Sequence, residues 1–239
     1  PLPILYVHHR PQASGAVRSL ALLVERLGPR FEPHALVPPG GQATDVLAAA
    51  GARVHEGHVS AFTHTWDVQY RGARLLVLGR ELALLPAHVR SLRRLLRRLR
   101  PVLLHANDAV VLAAGREAHA QGVPVVWHLR CSLGPGRPGR PVRAALERWG
   151  RAAVAIDADV ASSYALSLPV AVVANPVVPP GEIVPVEVPA GRFVVGHVGY
   201  LRRQKGWPAL LEAARLLAVE GVDVHLLLAG GGIRPPSFF

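Results

Sequence analysis

The sequence predicts an α/β protein: a Rossmann-like parallel-sheet domain at the amino-terminal end, then the first strand–helix–strand unit of a second Rossmann-like domain. Three observations carry this. Short runs rich in Val and Ile are continuously apolar, which is the pattern of strands covered on both faces. Helical patterns separate these runs all along the chain, the order expected of a parallel sheet. A stretch dense in Pro and Gly, from Asn175 to Arg192, then interrupts the pattern before it restarts.

The expected strands are "ILYVH" at Ile4, "HALV" at His34, "ARVHE" at Ala52, "VLLH" at Val102, "VVWHL" at Val125, "AVAI" at Ala153 and "VAVVA" at Val170. Between them the 3.6-residue period predicts helices over 17–27, 44–50, 108–121, 142–149 and 159–166. Pro176, Pro179 and Pro180 cannot lie inside a central strand. The expected organisation is therefore a first domain over 1–180, a linker over 181–192 and a second domain beginning at 193. In that second part "FVVGHVG", a basic loop, a helix over 208–218 and "VHLLLAG" follow one another. One such unit lacks neighbouring strands and a second covering layer, so the sequence is expected to be truncated inside that domain.

Half of the 239 residues are hydrophobic, enough for a substantial core. A single cysteine, Cys131, excludes a disulfide framework. No apolar run reaches the roughly 18 residues of a membrane span. "PLPILYV" is too short, and lacks the basic flank, for a signal peptide. The formal charge of +11 comes from 27 Lys and Arg against 16 Asp and Glu, and favours anionic partners.

In "HVRSLRRLLRRLRP", Leu92, Leu95, Leu96 and Leu99 share one helical face and arginines cover the rest. The preferred reading is a core-facing helix with a solvated basic face; peripheral contact with an anionic membrane is compatible with it. A cytoplasmic location, with such contact at the inner face of the membrane, is the expectation. Specific nucleic-acid binding is not expected, because the basic residues alternate with leucine rather than with stacking aromatics.

Candidate site residues gather at strand ends, where open α/β sheets bind ligands. The first turn, "HHRPQASGAVRSL", offers Ser14 as a helix cap and Gly15 for close approach of backbone to an anion. An ordinary Ser-capped helix would carry the same residues. His105, Asn107 and Asp108 follow the fourth strand, and Asp108 is also a natural cap for the next helix. His128 ends the fifth strand, with Arg130 opening the loop after it. The two histidines of "HEGH", His55 and His58, point to opposite faces if they lie on a strand, so no metal is assigned there. Whether the aromatic loop "SAFTHTWDVQY" covers a pocket or only caps the sheet is left open. In "VGYLRRQKGWPALLEAARLL", Arg202, Arg203 and Lys205 precede a helix amino terminus, and Pro208 fits its first turn. That is suitable chemistry for a diphosphate whose charge grows as it departs.

"VGYLRRQKGWPALLEAARLL" followed by "VHLLLAGGG" resembles the opening of the nucleotide-binding domain in retaining GT-B glycosyltransferases of the family-4 (group 1) type. "SGAVRSLALL", "LLHAND", "PVVWHLR" and "VVANPV" are similar to segments of that family's amino-terminal domain, in the family's order. The resemblance implies two Rossmann-like domains and a nucleotide-diphosphate sugar as co-substrate, with no metal and no other cofactor. The acceptor would be a glycan, a lipid or a small molecule. It implies that Lys205, with Arg202 and Arg203, grips the donor diphosphate and that Gly15 contacts phosphate. His128 would lie beside the transferred sugar as the catalytic-site residue, with His105, Asn107 and Arg130 on the acceptor side. Tyr200 stands where the family places an arginine, and Asp157 where it commonly has serine. The family's paired glutamates would fall beyond Phe239, so weak or absent transfer by the 239-residue chain is expected. The alternatives are a nucleotide-sugar 2-epimerase of the same architecture and a basic nucleic-acid-binding protein.

Overall fold

The computed structural model describes residues 1–62, 72, 74–134, 139–179, 181, 185–200 and 205–230. The chain divides into two compact units, Pro1–Val177 and Val178–Phe239. In the first unit, strands β1 (Leu2–Val7), β2 (Phe31–Val37), β3 (Arg53–Glu56), β4 (Leu103–Ala106), β5 (Val125–Leu129), β6 (Ala152–Ala155) and β7 (Val170–Val172) form one sheet. Its order is β3-β2-β1-β4-β5-β6-β7, and every pairing is parallel. Successive residues of β1 serve opposite faces, as the two-residue period of a strand demands. Ile4 and Tyr6 join Val17, Leu20, Val24 and Leu47 from helices α1 (Gly15–Glu25) and α2 (Ala43–Ala49). Leu5 and Val7 join a second core with Leu92 and Leu96 of α3 (Arg74–Leu99), Ala114 of α4 (Leu112–Ala120) and Leu146 of α5 (Gly139–Trp149). Tyr164 of α6 (Ala158–Tyr164) closes that layer.

Three helix starts differ in detail from the sequence expectation. Helix α3 begins at Arg74 and runs through Pro86, so the arginine-rich segment is only its second half. Its Leu92, Leu95 and Leu96 are buried and Leu99 packs on the core, which is the core-facing arrangement. Helix α4 starts at Leu112 with Val111 at the cap position; Asp108 is not its cap, because three residues intervene before the helix. Ser14 does occupy the cap position of α1, but its side chain makes no capping bond. Its carbonyl accepts the amides of Val17 and Arg18 instead. In "HEGH", His55 lies on β3 and His58 beyond its end. Much of the loop "SAFTHTWDVQY" lies outside the described residues.

In the second unit β8 (Phe193–Val198) and β9 (Val224–Ala229) pair in parallel, joined through helix α7 (Trp207–Val219). Gly206 caps this helix with φ +82°, a left-handed value that suits glycine, and Pro208 occupies its first turn. Leu210, Ala214 and Leu217 are half-buried, and no α7 residue is fully buried. Among the described residues no helix is long and apolar enough to cross a membrane.

Candidate functional site

The chain leaves β1 toward β2 on one side of the sheet, and β4 takes up the other side. The carboxyl ends of β1 and β4 therefore flank the point where strand order reverses, which opens a crevice in sheets of this kind. The ladder brings two side chains there. His8 follows β1, with its amide bonded to the Leu36 carbonyl, and Asn107 follows β4, with its amide bonded to the Val7 carbonyl. His105 lies on β4 and His128 on the neighbouring β5, one strand further along.

Arg130 joins these groups. Its Nε donates to Asn107 Oδ1 at 2.8 Å, one terminal nitrogen donates to Asn175 Oδ1 at 3.0 Å, and the other lies 3.4 Å from His128 Nδ1. Asn107 Nδ2 lies 3.1 Å from His8 Nδ1 and donates to the Ala16 carbonyl in the first turn of α1. His105 Nε2 is 3.1 Å from the same Nδ1 of His128. Ser19 on α1 donates to Asn175 Oδ1 at 3.0 Å, closing the ring of contacts. His8, His105, Asn107 and His128 are all buried.

Burial sets the charges. It lowers His8 to about 4, His105 to about 3 and His128 to about 4, with the Arg130 charge acting in the same direction on each. All three rings are neutral at pH 7. Burial also lowers Arg130 to about 10, opposed by Asp108, so the guanidinium keeps its charge. Asp108 is raised to about 6 by burial, although the amides of Ala109 and Val110 and the Arg130 charge favour its anion. Among the described residues, His8 Nε2, His128 Nε2, Ser14 Oγ and Asp108 Oδ1 are buried polar atoms without a hydrogen-bond partner. Orphans of this kind are uncommon in folded proteins and mark places where a ligand or water belongs.

The structure thus brings together His105, Asn107, His128 and Arg130, all singled out in the sequence. Gly15 opens α1, whose first turn Asn107 touches through Ala16. A β-carbon on Gly15 would meet nothing within 4 Å, so the backbone there is open to approach. Lys205 belongs to the second unit, where it is exposed and immediately precedes the cap of α7. Arg202 and Arg203 lie outside the described residues. Sequence reasoning missed His8, Ser19 and Asn175. The position of His8 directly after an apolar strand was the available signal, while Asn175 was hidden at the head of the proline-rich stretch.

Among the described residues, no three His, Cys, Asp or Glu side chains gather in a metal-ligand arrangement. His55 instead stacks on His34, with ring planes 11° apart. His58 sits 3.5 Å from a carboxylate oxygen of Glu81.

No protein-family model matches the sequence, and no curated protein does. Solved structures do match. HepE (Alr3699) of Anabaena, in complex with UDP and glucose, superposes with a TM-score of 0.64 at 16% identity, over 95% of this chain and 61% of that one. The glycotransferase of kitacinnamycin gives 0.59 at 15% identity, over 99% and 68%. UDP-GlcNAc 2-epimerase from Neisseria meningitidis, bound to UDP-GlcNAc, gives 0.54 at 11% identity, over 97% and 73%. The chain spans 61% of the length of the HepE chain. At these identities the likeness is one of fold: this chain has the Rossmann-like α/β fold of GT-B glycosyltransferase structures.

Proposed function

We propose that this chain belongs to a retaining glycosyltransferase that moves a sugar from a nucleotide-diphosphate donor to a glycan, lipid or small-molecule acceptor. One observation carries the reading: a buried cluster of neutral imidazoles around a charged Arg130, with unpartnered ring nitrogens, at the strand-order reversal of the sheet. In this reading His128 lies beside the transferred sugar, and His105, Asn107 and Arg130 form the acceptor side. Gly15 and the α1 amino terminus meet phosphate. Lys205, with Arg202 and Arg203, holds the diphosphate and offsets its growing charge, so that no divalent metal is required. The neighbours support this by fold, and HepE by its complex with UDP and glucose.

The test is calorimetric titration of the chain and of a longer form with uridine and guanosine diphosphate sugars, followed by NMR of any product. Saturable binding of one donor is expected, as is a product that keeps the donor's anomeric configuration. Lys205→Met should weaken binding roughly 10–100-fold, the effect of losing one charge-assisted contact. Strong turnover by the 239-residue chain alone would contradict the expectation of weak or absent transfer.

Asp108 favours the epimerase alternative, since a buried carboxyl near pKa 6 can exchange protons at neutral pH. Inversion at C2 of a nucleotide sugar without any acceptor would establish that activity instead. The exposed Arg90, Arg94, Arg97 and Arg98 of α3 support a peripheral contact with anionic lipid through charge, because Leu92, Leu95 and Leu96 of the same stretch are in the core. Co-sedimentation with phosphatidylglycerol vesicles that disappears between 50 and 200 mM salt would agree with that.

A further inference from the structure

We infer that Arg130 is a positioning residue that locks His8 and His128 in the same tautomer, with both Nε2–H groups presented as hydrogen-bond donors to the hydroxyl oxygens of a bound sugar. Arg130 is the one group in the cluster whose hydrogen-bonding role is unambiguous. A guanidinium can only donate. Its Nε bond to Asn107 therefore fixes the acceptor oxygen of that amide toward Arg130 and turns the NH₂ group toward His8 and the Ala16 carbonyl. An amide NH₂ donates, so His8 Nδ1 must accept, and the ring proton lies on Nε2.

The same cation acts directly on the second ring. An Nδ1–H on His128 would point at a guanidinium nitrogen 3.4 Å away, placing two positive hydrogens against each other. His128 Nδ1 therefore accepts, from Arg130 and from His105 Nε2 at 3.1 Å. Its proton too is on Nε2. In both rings Nε2 is buried and has no partner among the described residues. Arg130 is itself held in place, since Asn175 Oδ1 receives both its terminal nitrogen and the Ser19 hydroxyl.

This assigns His128 a role. A neutral ring whose Nδ1 lone pair is already taken and whose free nitrogen bears hydrogen cannot take a proton from an acceptor hydroxyl. It can only donate a hydrogen bond. The assignment to sugar oxygens rests on the glycosyltransferase reading; the tautomer assignment does not.

The experiment is long-range ¹H–¹⁵N correlation of the imidazole rings in the ¹⁵N-labelled chain at pH 7.5, with the two rings assigned through His8→Gln and His128→Gln. Both are expected as the Nε2–H form. Asn107→Asp keeps a partner for Arg130 but replaces the NH₂ group with an oxygen. His8 should then move to the Nδ1–H or the doubly protonated form while His128 is unchanged, which a merely structural contact would not produce. Arg130→Leu should leave both rings in mixed tautomers; if that variant does not fold, Asn107→Asp still decides. An Nδ1–H form of either ring in the unsubstituted chain overturns the lock, as does an Asn107→Asp spectrum in which His8 is unaltered.

The same spectra are then followed with UDP-glucose, UDP and inorganic phosphate. Shifts of both Nε2–H signals with UDP-glucose, and not with UDP or phosphate, are expected. Equal shifts with phosphate alone overturn the sugar assignment. No shift with any of the three counts against the glycosyltransferase reading and leaves the tautomer lock standing.

Discussion

The indole of Trp127 lies so close to Gly115 that a β-carbon on the glycine would overlap the ring. Trp127 is fully buried on β5, and its Nε1 donates to the Leu146 carbonyl of α5 at 3.1 Å. One side chain therefore fixes the spacing of α4 and α5 on the same face of the sheet. Gly115→Ala would gain up to about 1 kcal/mol of helix propensity at an ordinary site. Here the ring cannot retreat without breaking its hydrogen bond, and overpacking of this kind costs about 1–3 kcal/mol. A net loss of stability in urea unfolding is expected; a variant more stable than the parent would mean that the ring has room to move.

Pro86 supplies a second prediction. It lies within α3, where it removes one backbone hydrogen bond, and its side chain is exposed. Pro86→Ala restores the amide without disturbing the core, so thermal stability should rise by an amount on the order of 1–3 kcal/mol. A fall would show that the ring itself makes a contact on which α3 depends.

Asp157 accepts the Val160 amide at 2.6 Å from the cap position of α6. Asp157→Ala should cost about 1 kcal/mol, and Asp157→Ser, which can also cap, distinctly less. Equal losses for the two would assign the effect to something other than capping. Serine is also the residue common at this position in the family that the sequence resembles.

Acid should destabilise the first unit. His8, His88 and His128 have folded values of about 4 and His105 about 3, against 6.5 for the ordinary imidazole, each through burial. Below pH 6.5 the unfolded chain takes up these protons and the folded chain does not. Stability is therefore complete above that pH and is lost as the pH falls toward 4. Each ring contributes a slope of up to about 1.4 kcal/mol per pH unit. Asp108 acts oppositely, because its folded value of about 6 exceeds the ordinary 3.8, so it gives back one proton's worth over that window. Urea midpoints should fall steeply from pH 7 to pH 5, and less steeply in His105→Gln. A flat profile would mean that the rings are protonated within the fold.

The strands were legible because β1, β4 and β5 are covered on both faces. Ile4 and Leu5 must both be apolar when each faces a different core, and such runs leave a clear pattern. The first half of α3 was not legible, since Pro86 reads as a boundary. The start of α4 was misread because an aspartate after a strand looks like a cap, whereas Asp108 is buried in the crevice and shifted by that burial. The site was half-legible. His105, Asn107, His128 and Arg130 lie at or just after the ends of two strands and can be picked out one by one. That Arg130 unites them depends on which strands are neighbours, and strand order is written in no local pattern. His8 and Asn107 meet only because Val7 pairs with Ala106 across the sheet.

That pairing also bears on how the protein is made. β1 is an interior strand next to the central β4, yet β4 is translated about a hundred residues later, with Ile4 set against Leu103. At about 5–20 residues per second the nascent chain carries an unpaired hydrophobic edge for roughly 5–20 s after β1 leaves the ribosome. Until Asn107 emerges, β1, β2 and β3 can form only one side of the sheet, and this interval is when the chain is most open to aggregation and has most use for a chaperone.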